Sequence, residues 1–471
     1  MLRGLRHAVV PGRMKGRQRP PLVACIAVVA ALAACSNQGT LPSGAAAPVL
    51  ALQANVRPRA SGKIQHVVII IQENRSVDNL FQKLPGADTR SYGYTTTGER
   101  VNLRPISLAT PWDIDHSSTS FFQACNGAGS YPGTQCRMNG FNRESLTCGG
   151  LGGGPCPKDH PQYGYVPRTE SQPYFDMAAQ WAFGDHMFTS HFDASSFVSH
   201  QYIIAGQAES AVDYPTGLWG CDGGKTDTVD TVDLERKITG AHIQVCFDSL
   251  TLADELDTAK LSWGYYTAGV YGNGNLWNAY QAIKHIRYGP DWKTDVIRPQ
   301  TRFFKDLRAG QLRTVSWITP TCENSDHAGC ESLDGPSWVT SLVNAVGQSK
   351  FWNSTAIFVF WDEYGGWYDH VPPQKLDYDG LGLRVPLLII SPYAKKGHVS
   401  HVQYEHGSIL RFIEDQFGLG RLAASDARAT SPGPDCFDFN QRPRAFVPIK
   451  SSRDERYFLT QPLDPRPVDS E

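Results

Sequence analysis

Two polar pairs follow two strongly apolar segments of this chain. Glu73-Asn74 comes directly after "HVVIIIQ", and Asp362-Glu363 comes directly after "STAIFVFW". If both segments are strands of a parallel sheet, their carboxyl ends lie at one edge, where such sheets bind ligands. Carboxylate and amide oxygens suit a hard divalent cation better than thiols would. The simpler alternative is that the acids cap following helices, but two pairs after two apolar segments favour a metal site.

Histidines with an acid close in sequence accumulate around the same segments. They are His116, His327, His370 and His406. A single histidine is more often structural than catalytic, but loops concentrate functional groups and imidazole titrates near neutral pH. In "DEYGGWYDHVPP" the pair Gly365-Gly366 allows a tight backbone path, which would return Asp369 and His370 toward Asp362. We therefore expect imidazoles beside the carboxylates.

A nucleophile is available in "SHFDASSFVSHQYIIAGQ", where Ser195, Ser196 and Ser199 precede an apolar helical segment. A hydroxyl at a helix N-terminus beside a cation can be activated, and the first amides of the helix can bind a phosphate oxygen. Helix capping is the alternative, since serine is a preferred N-cap residue. Composition does not choose between these interpretations.

The elements that would position these groups alternate between strands and helices. Apolar segments, mostly β-branched, predict buried strands at 64–71, 313–320, 354–361 and 385–392. Helical periodicity marks 337–352 and 405–419. We predict an α/β fold with a central, mostly parallel sheet and helices on both faces. A Cys- and Gly-rich insertion at about 95–165 interrupts it.

The N-terminal residues are typical of an exported protein. Basic residues and no acid precede the short apolar segment "PLVACIAVVAALAAC". Its end resembles a bacterial lipobox, in which Cys35 is lipidated. The predicted divisions are a lipoprotein-type signal peptide (1–35), a flexible tether (36–62), a catalytic domain (63–450) and a polar C-terminal tail (451–471). We expect a periplasmic or cell-surface lipoprotein, held to a membrane by its lipid anchor, with an ordinary cleaved signal peptide as the alternative.

Cysteine usage and net charge narrow the classes of partner. Export permits disulfides, and the cysteines after Cys35 come in near pairs, which predicts stapled loops. By proximity the pairs are Cys125/Cys136, Cys148/Cys156, Cys221/Cys246 and Cys322/Cys330, with Cys436 left over. A zinc cluster is the less favoured alternative, because no CxxC unit occurs.

With 44 Lys and Arg against 46 Asp and Glu, the totals give no sign of nucleic-acid binding.

Several segments, in matching order, resemble a bacterial phosphoesterase family that holds the non-haemolytic type phospholipases C and related acid phosphatases. The segments are "HVVIIIQENRSVDNLF", "DIDHSS", "MNGF", "SDHAG", "WDEYGGWYDHVPP", "LGLRVPLLIISPYAKKGHV" and "YEHGSILRFIE". The resemblance extends from about residue 63 to about residue 420. Since this family belongs to the wider alkaline phosphatase-like group, the resemblance implies an alkaline phosphatase-like core.

The resemblance also implies a role for each matching residue. The ligands of a divalent metal (Ca²⁺, Mg²⁺, Mn²⁺ or Zn²⁺) would be Glu73, Asn74, Asp362, Glu363 and Ser196. The groups that stabilise phosphoryl oxygens or protonate the leaving group would be His116, His327 and His370. The acids that orient neighbouring imidazoles would be Asp326 and Asp369. Ser196 would also be the nucleophile.

The implied activity is hydrolysis of a phosphate ester or phospholipid, of phospholipase C or acid phosphatase type, through a phosphoserine intermediate. The nucleophile segment departs from the family pattern, because Ser196 is followed by "FVSH" and lacks the usual Pro and Asn. This departure leaves Ser195 as an alternative nucleophile and indicates an altered leaving-group pocket that includes His200. Two other functions stay open: a phosphomonoesterase only, or a non-catalytic surface lipoprotein that kept the fold.

Aromatic residues near the acids bear on the substrate. They are Trp361, Tyr364, Trp367 and Tyr368. A choline headgroup would be bound by an aromatic cage, but the same residues could equally be core.

Overall fold

A central sheet organises the chain, for which a computed structural model describes residues 62–148, 156–215, 220–269 and 275–466. Its strands in these ranges are β1 (His66–Gln72), β2 (Ala182–Phe188), β3 (Trp263–Tyr266), β4 (Val296–Ile297), β5 (Val315–Ile318), β6 (Thr355–Trp361), β7 (Arg384–Ile390), β8 (His398–Ser400) and β9 (Tyr404–Glu405). The order across the sheet is β4-β3-β5-β1-β6-β7-β2-β8, and β9 also pairs with β2. Strand pairing is parallel except around β7. The predicted α/β class with a mostly parallel sheet is confirmed.

β7 runs antiparallel to both of its neighbours, β6 and β2, whereas its apolar sequence predicted a further parallel strand. All of its residues are buried. Burial on both faces explains a continuous apolar sequence whichever way the strand runs. The reversal places its first residue, Arg384, at the edge of the sheet where β1 and β6 end.

Helices connect and cover these strands. In the described ranges they are α1 (Val77–Leu80), α2 (Ser118–Cys125), α3 (Arg168–Gln180), α4 (Ser196–Ala205), α5 (Leu252–Thr258), α6 (Lys284–Tyr288), α7 (Asp291–Thr294), α8 (Arg302–Arg308), α9 (Gly335–Gly347), α10 (His406–Phe417), α11 (Ala424–Arg428), α12 (Gly433–Cys436) and α13 (Glu455–Thr460). The two helices predicted from periodicity correspond to α9 and α10.

Helices lie on both faces of the sheet, as predicted. Side chains an odd number of residues apart along a strand point to opposite faces. Phe358 of β6 packs against Phe412 of α10, with ring centroids 4.9 Å apart. Trp361 of the same strand packs against Tyr174 of α3, with centroids 5.1 Å apart. α3 and α10 therefore cover opposite faces of β6.

The Cys- and Gly-rich insertion contains short paired strands and α2. The pairs are Tyr92–Tyr94 with Arg100–Asn102, Arg104–Pro105 with Gly164–Tyr165, and Asp113–Ile114 with Leu146–Thr147. A separate three-stranded sheet consists of Ala211–Val212, Thr228–Val232 and Ile238–Gln244. Such short elements bury little apolar surface of their own, so covalent links matter more here.

The four predicted disulfides are confirmed. They join Cys125 to Cys136, Cys148 to Cys156, Cys221 to Cys246, and Cys322 to Cys330. Cys436 is a buried free thiol. Because the paired sulfurs bond to one another, the alternative of a zinc cluster is wrong for these cysteines.

Both ends of the chain bear on the predicted divisions. The signal peptide, Cys35 and all but the last residue of the tether lie outside the described residues. Within the described ranges, no helix combines the length and the hydropathy of a membrane span. The segment predicted as a polar tail includes α13, whose Phe458 is buried against Trp338 with ring centroids 5.2 Å apart.

Candidate active site

The ends of β1 and β6 bring the two polar pairs side by side. Gln72 and Trp361 are opposite each other in the parallel ladder. Just beyond this pair, the backbone N–H of Asn74 donates to Oδ1 of Asp362 over 3.2 Å. Glu73 and Glu363 are buried at the same edge. The structure therefore brings together the two pairs that the sequence placed after separate strands.

The turn after β6 is shaped to pass close to Asn74. Gly365 has φ +65°, and a Cβ there would lie 2.4 Å from the carbonyl oxygen of Asn74. Its backbone N–H donates to Oε2 of Glu363 over 2.7 Å. Asn74 itself has φ +62°, in the left-handed region that asparagine tolerates better than most residues. Only glycine fits at 365 without displacing the backbone of Asn74.

The two candidate serines at the start of α4 have different roles. The Ser195 hydroxyl caps the helix, accepting from the N–H of Val198 over 3.4 Å. It also lies 3.2 Å from Oδ2 of Asp193 and 3.0 Å from the carbonyl of Asp213. Burial raises the pKa of Asp362, and the nearby Ser196 hydroxyl partly opposes that rise, although its Oγ makes no hydrogen bond of normal geometry within the described residues. Ser195 is thus occupied as a cap, and Ser196 faces the carboxylates.

His200, which the sequence associated with an altered leaving-group pocket, lies among the acids. It is one helical turn after Ser196 on α4, and its Nε2 lies 3.0 Å from Oε1 of Glu73 and 3.9 Å from Oδ2 of Asp362. One ligand atom from each of these three side chains lies within 4.8 Å of the others. The i, i+4 spacing puts Ser196 and His200 on the same face of a helix. That spacing is the sequence signal that could have predicted His200 beside the acids.

The cluster has the chemistry of a cation site. Among the described residues, Oδ1 of Asn74, Oγ of Ser196 and Oδ2 of Asp362 are buried without a hydrogen-bond partner. Buried polar atoms are normally satisfied, so unpartnered oxygens at one place indicate a missing ligand. Buried carboxylates are also costly unless a cation compensates them. These residues, with Glu73 and His200, therefore fit a divalent metal.

Burial raises the pKa values of two carboxyls around this cluster. It raises the pKa of Asp362, although neighbouring hydrogen-bond donors oppose the shift. It also holds the pKa of Glu144 well above its usual range, although Tyr364 donates to Glu144 over 2.8 Å. Sequence analysis missed Glu144, which lies in the irregular insertion.

His116 reaches the same cluster from the insertion. Its Nδ1 lies 2.6 Å from the carbonyl of Ile114, so that nitrogen carries the proton. Its Nε2 lies 3.0 Å from Nδ2 of Asn74 and 3.7 Å from Oε1 of Glu363. The Tyr214 hydroxyl is 3.2 Å from the same Nε2. Tyr214 was also missed by sequence analysis, because its segment carries no motif.

His327 lies on the other side of His116, with ring centroids 5.7 Å apart. Its loop is held to the end of β1 by Gln72, which donates to the carbonyl of Asn324 over 3.1 Å and accepts from the N–H of Asp326 over 2.9 Å. Arg75 donates to the carbonyl of Asp326 over 2.7 Å. Gln72 and Arg75 therefore position this loop, while the two residues between them belong to the cluster.

Asp326 does not orient an imidazole, contrary to the role implied by resemblance. Its Oδ2 accepts from the Tyr174 hydroxyl over 2.8 Å and from the Trp361 indole over 3.0 Å. Burial raises its pKa to about 6. The carboxylate that faces His327 is Asp113, at 3.8 Å from Nδ1.

Asp369 and His370 form a different group. Asp369 pairs with Arg384, whose Nε donates over 2.8 Å. The Nδ1 of His370 lies 2.6 Å from Asp78, and its Nε2 lies 3.1 Å from Asp88. Burial lowers the pKa of His370, but Asp78 outweighs that effect and raises it overall. The glycine turn thus carries Asp369 and His370 to Asp78 and not back to Asp362.

The aromatic residues considered for a choline cage are buried core instead. Trp361 packs between α3 and the Asp326 loop. Trp367 lies under the Arg75 guanidinium, 4.7 Å from the ring centroid. Tyr368 stacks on Tyr163 with centroids 5.0 Å apart. These faces are already occupied, so they do not bind a headgroup.

A family model and individual relatives both match most of this chain. The family model named Phosphoesterase matches residues 64–420. The "Non-hemolytic phospholipase C" of Pseudomonas aeruginosa is 26% identical over 435 residues, covering 80% of this chain and 57% of that protein. The "Non-specific phospholipase C3" of Arabidopsis thaliana is 24% identical over 440 residues, covering 80% and 76%. This chain therefore spans little more than half the length of the Pseudomonas relative.

Two further comparisons extend the range of organisms and structures. "Phospholipase C B" of Mycobacterium tuberculosis is 24% identical over 407 residues, covering 76% of this chain and 74% of that protein. A solved structure of a protein in the alkaline phosphatase superfamily from Vibrio parahaemolyticus is 10% identical, covers 79% of this chain and 72% of that one, and aligns with a TM-score of 0.37.

Proposed function

This chain belongs to the Phosphoesterase family, and we propose that it is a metal-dependent phosphoric ester hydrolase that acts through Ser196. The observation that carries the proposal is the buried Ser196 hydroxyl at the start of α4, which approaches Asp362 and makes no hydrogen bond of normal geometry within the described residues. A hydroxyl in that position can attack phosphorus while the helix N-terminus attracts the negative phosphoryl oxygens. Phospholipases C among the relatives support the same reaction class.

The cation would be held by Glu73, Asn74, Ser196, His200 and Asp362. Bound there, it would neutralise phosphoryl charge and favour ionisation of the Ser196 hydroxyl. Glu363 lies beside His116 and completes the acidic side of the cluster. An imidazole among oxygen ligands is compatible with Zn²⁺ as well as Mn²⁺, so the metal is a matter for measurement.

The covalent step follows from these positions. Ser196 Oγ forms a bond to phosphorus as the bond to the leaving-group oxygen breaks, giving phosphoserine. The leaving oxygen takes a proton from an imidazole, and the proton released by the Ser196 hydroxyl restores that imidazole. His116, which lies beside Asn74 and Glu363, is placed for this role, and His327 packs against His116. Water then attacks phosphorus, the Ser196–phosphorus bond breaks, and Oγ regains a proton. Positioning and charge neutralisation supply most of the rate in such reactions.

The proposed substrate is a phosphate diester of the phospholipid type, supported by the names of the relatives. A phosphomonoester is the second candidate, because the aromatic residues next to the acids are buried core and offer no choline cage. Comparing p-nitrophenylphosphorylcholine with p-nitrophenyl phosphate separates the two. Faster release from the diester supports the phospholipase C type, and faster release from the monoester supports a phosphatase.

Ser196→Ala and Ser195→Ala form a matched pair for the covalent step. Ser196→Ala should lose nearly all turnover and form no phosphoenzyme, measured by intact mass after acid quench. Ser195→Ala should lose about 1 kcal/mol of stability as a helix cap but keep the phosphoenzyme. Full activity of Ser196→Ala would refute the nucleophile. Absence of turnover in the parent, with each of Ca²⁺, Mg²⁺, Mn²⁺ and Zn²⁺ supplied after chelation, would favour a non-catalytic protein.

We also propose the lipid anchor at Cys35, supported by the lipobox-like "LAAC" after a basic, then apolar segment. The parent should incorporate labelled fatty acid and sediment with membranes, and Cys35→Ser should do neither. Equal labelling of Cys35→Ser would reject the anchor and leave the ordinary signal peptide.

A further inference from the structure

A second group of possible metal ligands lies on β2 and on the connection between β8 and β9, which both pair with β2. Asp185 and His186 are consecutive on β2, and His401 follows β8. The Nδ1 atoms of both histidines converge on the Asp185 carboxylate: His186 is 2.8 Å from Oδ1, and His401 is 3.0 Å from Oδ1 and 2.9 Å from Oδ2. One ligand atom from each residue lies within 4.8 Å of the others. We call these residues, with Asp88, the β2 cluster.

The surroundings of His186 distinguish this cluster from an ordinary ion pair. Its second nitrogen, Nε2, lies 3.5 Å from Oδ2 of Asp88. A neutral imidazole has a single N–H, so it can donate to only one of these two carboxylates. The shorter contact is the one from Nδ1 to Asp185, at 2.8 Å. A cation bound at Nδ1 would leave the proton on Nε2, the nitrogen that faces Asp88. Histidine ligands of metals characteristically have this arrangement, with the outer nitrogen donating to a carboxylate.

The two imidazoles share one acceptor. Their ring centroids are 6.0 Å apart at an interplanar angle of 82°. Each ring presents its Nδ1 atom to the same buried carboxylate. A cation between the three ligand atoms would use the lone pairs of both nitrogens.

The backbone around the ligands is fixed from inside the protein. Arg384 donates to the carbonyls of Asp185 over 2.9 Å and Asp88 over 3.1 Å. The N–H of Asp88 donates to Oδ2 of Asp185 over 2.6 Å. Asp185 is fully buried, whereas the His401 side chain is 58% exposed. The cluster is therefore fixed by the protein interior at Asp185 and open to solvent at His401, so that a cation could enter and leave.

We propose that Asp185, His186 and His401 form a second metal site, which binds a borderline divalent cation such as Zn²⁺, with Asp88 as the hydrogen-bond partner of His186. Two imidazoles and a carboxylate favour Zn²⁺ over Ca²⁺ or Mg²⁺. The bound ion would tie the segment around Asp88 to β2 and to the connection between β8 and β9. The proposal does not depend on the hydrolase activity.

The test is zinc stoichiometry and affinity of the full chain after chelation and dialysis, with Co²⁺ absorption as a second readout. His401→Ala is the main variant because its exposed side chain can be removed without disturbing the core. His285→Ala is the matched control, since His285 also lies between two carboxylates, Asp248 at 3.0 Å and Asp254 at 2.9 Å, but with one imidazole. We expect His401→Ala to lose one equivalent of zinc and His285→Ala to lose none.

Asp362→Asn separates this site from the candidate active site. If both sites bind, the parent holds two equivalents, and Asp362→Asn and His401→Ala each hold one. If Asp362→Asn matches the parent while His401→Ala loses its zinc, the second site stands and the metal of the proposed hydrolase fails. Asp88→Asn should weaken zinc binding about 10–100-fold. Unchanged stoichiometry and affinity in His401→Ala would overturn the proposal.

Discussion

The hydroxyl oxygen of Tyr214 accepts a hydrogen bond from the backbone N–H of Ser196 over 3.2 Å. The same hydroxyl lies 3.2 Å from Nε2 of His116. It therefore stands between the amide of the proposed nucleophile and an imidazole, the two groups that would bind a transferring phosphoryl oxygen. If Ser196 is the nucleophile, a substrate would have to displace the phenol.

Tyr214→Phe should therefore improve phosphate binding. Removing a competing hydrogen bond of about 1 kcal/mol should lower the inhibition constant of inorganic phosphate about fivefold. The measurement is competitive inhibition of nitrophenol release, with the remote Tyr393→Phe as control, whose hydroxyl bonds to Asn353. Weaker inhibition in Tyr214→Phe would show instead that the phenol contacts the phosphoryl group.

His200→Ala should reduce metal retention, because its imidazole lies with Glu73 and Asp362 in one ligand group. We expect affinity to fall at least about 10–100-fold, the range for loss of supporting groups alone. Metal content after gel filtration is the readout, with thermal unfolding as a check on folding. His242→Ala, at an exposed histidine paired with Asp230, is the control. Equal metal content in the two variants would remove His200 from the ligand set.

Gly365→Ala should disturb the site through the backbone of Asn74. A left-handed residue with a Cβ costs about 1–2 kcal/mol, and at 365 the Cβ also meets the carbonyl of Asn74 at 2.4 Å. Gly98→Ala provides the same backbone strain at φ +83° with nothing within 4 Å. Both variants should lose stability, but only Gly365→Ala should lose metal affinity, by about tenfold or more. Similar affinities would show that Asn74 tolerates displacement.

Asp379 should make stability fall as pH rises. Burial raises the pKa of its carboxyl to about 7, whereas the unfolded chain titrates near 3.9. The folded state therefore holds an extra proton between these values, and the contribution is present below about pH 4 and lost by about pH 7. Asp379→Asn should flatten the dependence of unfolding free energy on pH over this range by a few kcal/mol. The exposed Asp159→Asn is the control, and parallel curves for parent and Asp379→Asn would contradict the shift.

Local sequence predicted the strands that are apolar throughout, because continuous burial on both faces leaves a readable pattern. β1 and β6 are of this kind, and their polar ends located Glu73 and Asp362. β2 was missed because Gly184, Asp185 and His186 interrupt its apolar pattern. Asp185 contacts the backbone of Asp88 and the imidazole of His401. Such contacts between distant parts of the chain leave no trace in local periodicity.

The site was predictable where residues follow strands and unpredictable where partners come from loops. The acids after β1 and β6 had to meet once the strands were parallel neighbours. Asp369 and His370 depended on the direction of a glycine turn, and the left-handed conformations of Gly365 and Gly366 sent them to Asp78. Tyr214 reaches Ser196 from a loop 18 residues further along the chain, and nothing in the sequence around it specifies that approach.

The contact between Asn74 and Asp362 joins residues 288 positions apart. Loop closure over such a separation precedes any gain from the contact, so pairing of β1 with β6 belongs to the slow part of folding. During synthesis, Glu73 and Asn74 are made long before the strand that completes their surroundings. The nascent chain therefore cannot assemble the proposed cation site until Asp362 has been translated and β6 has paired with β1.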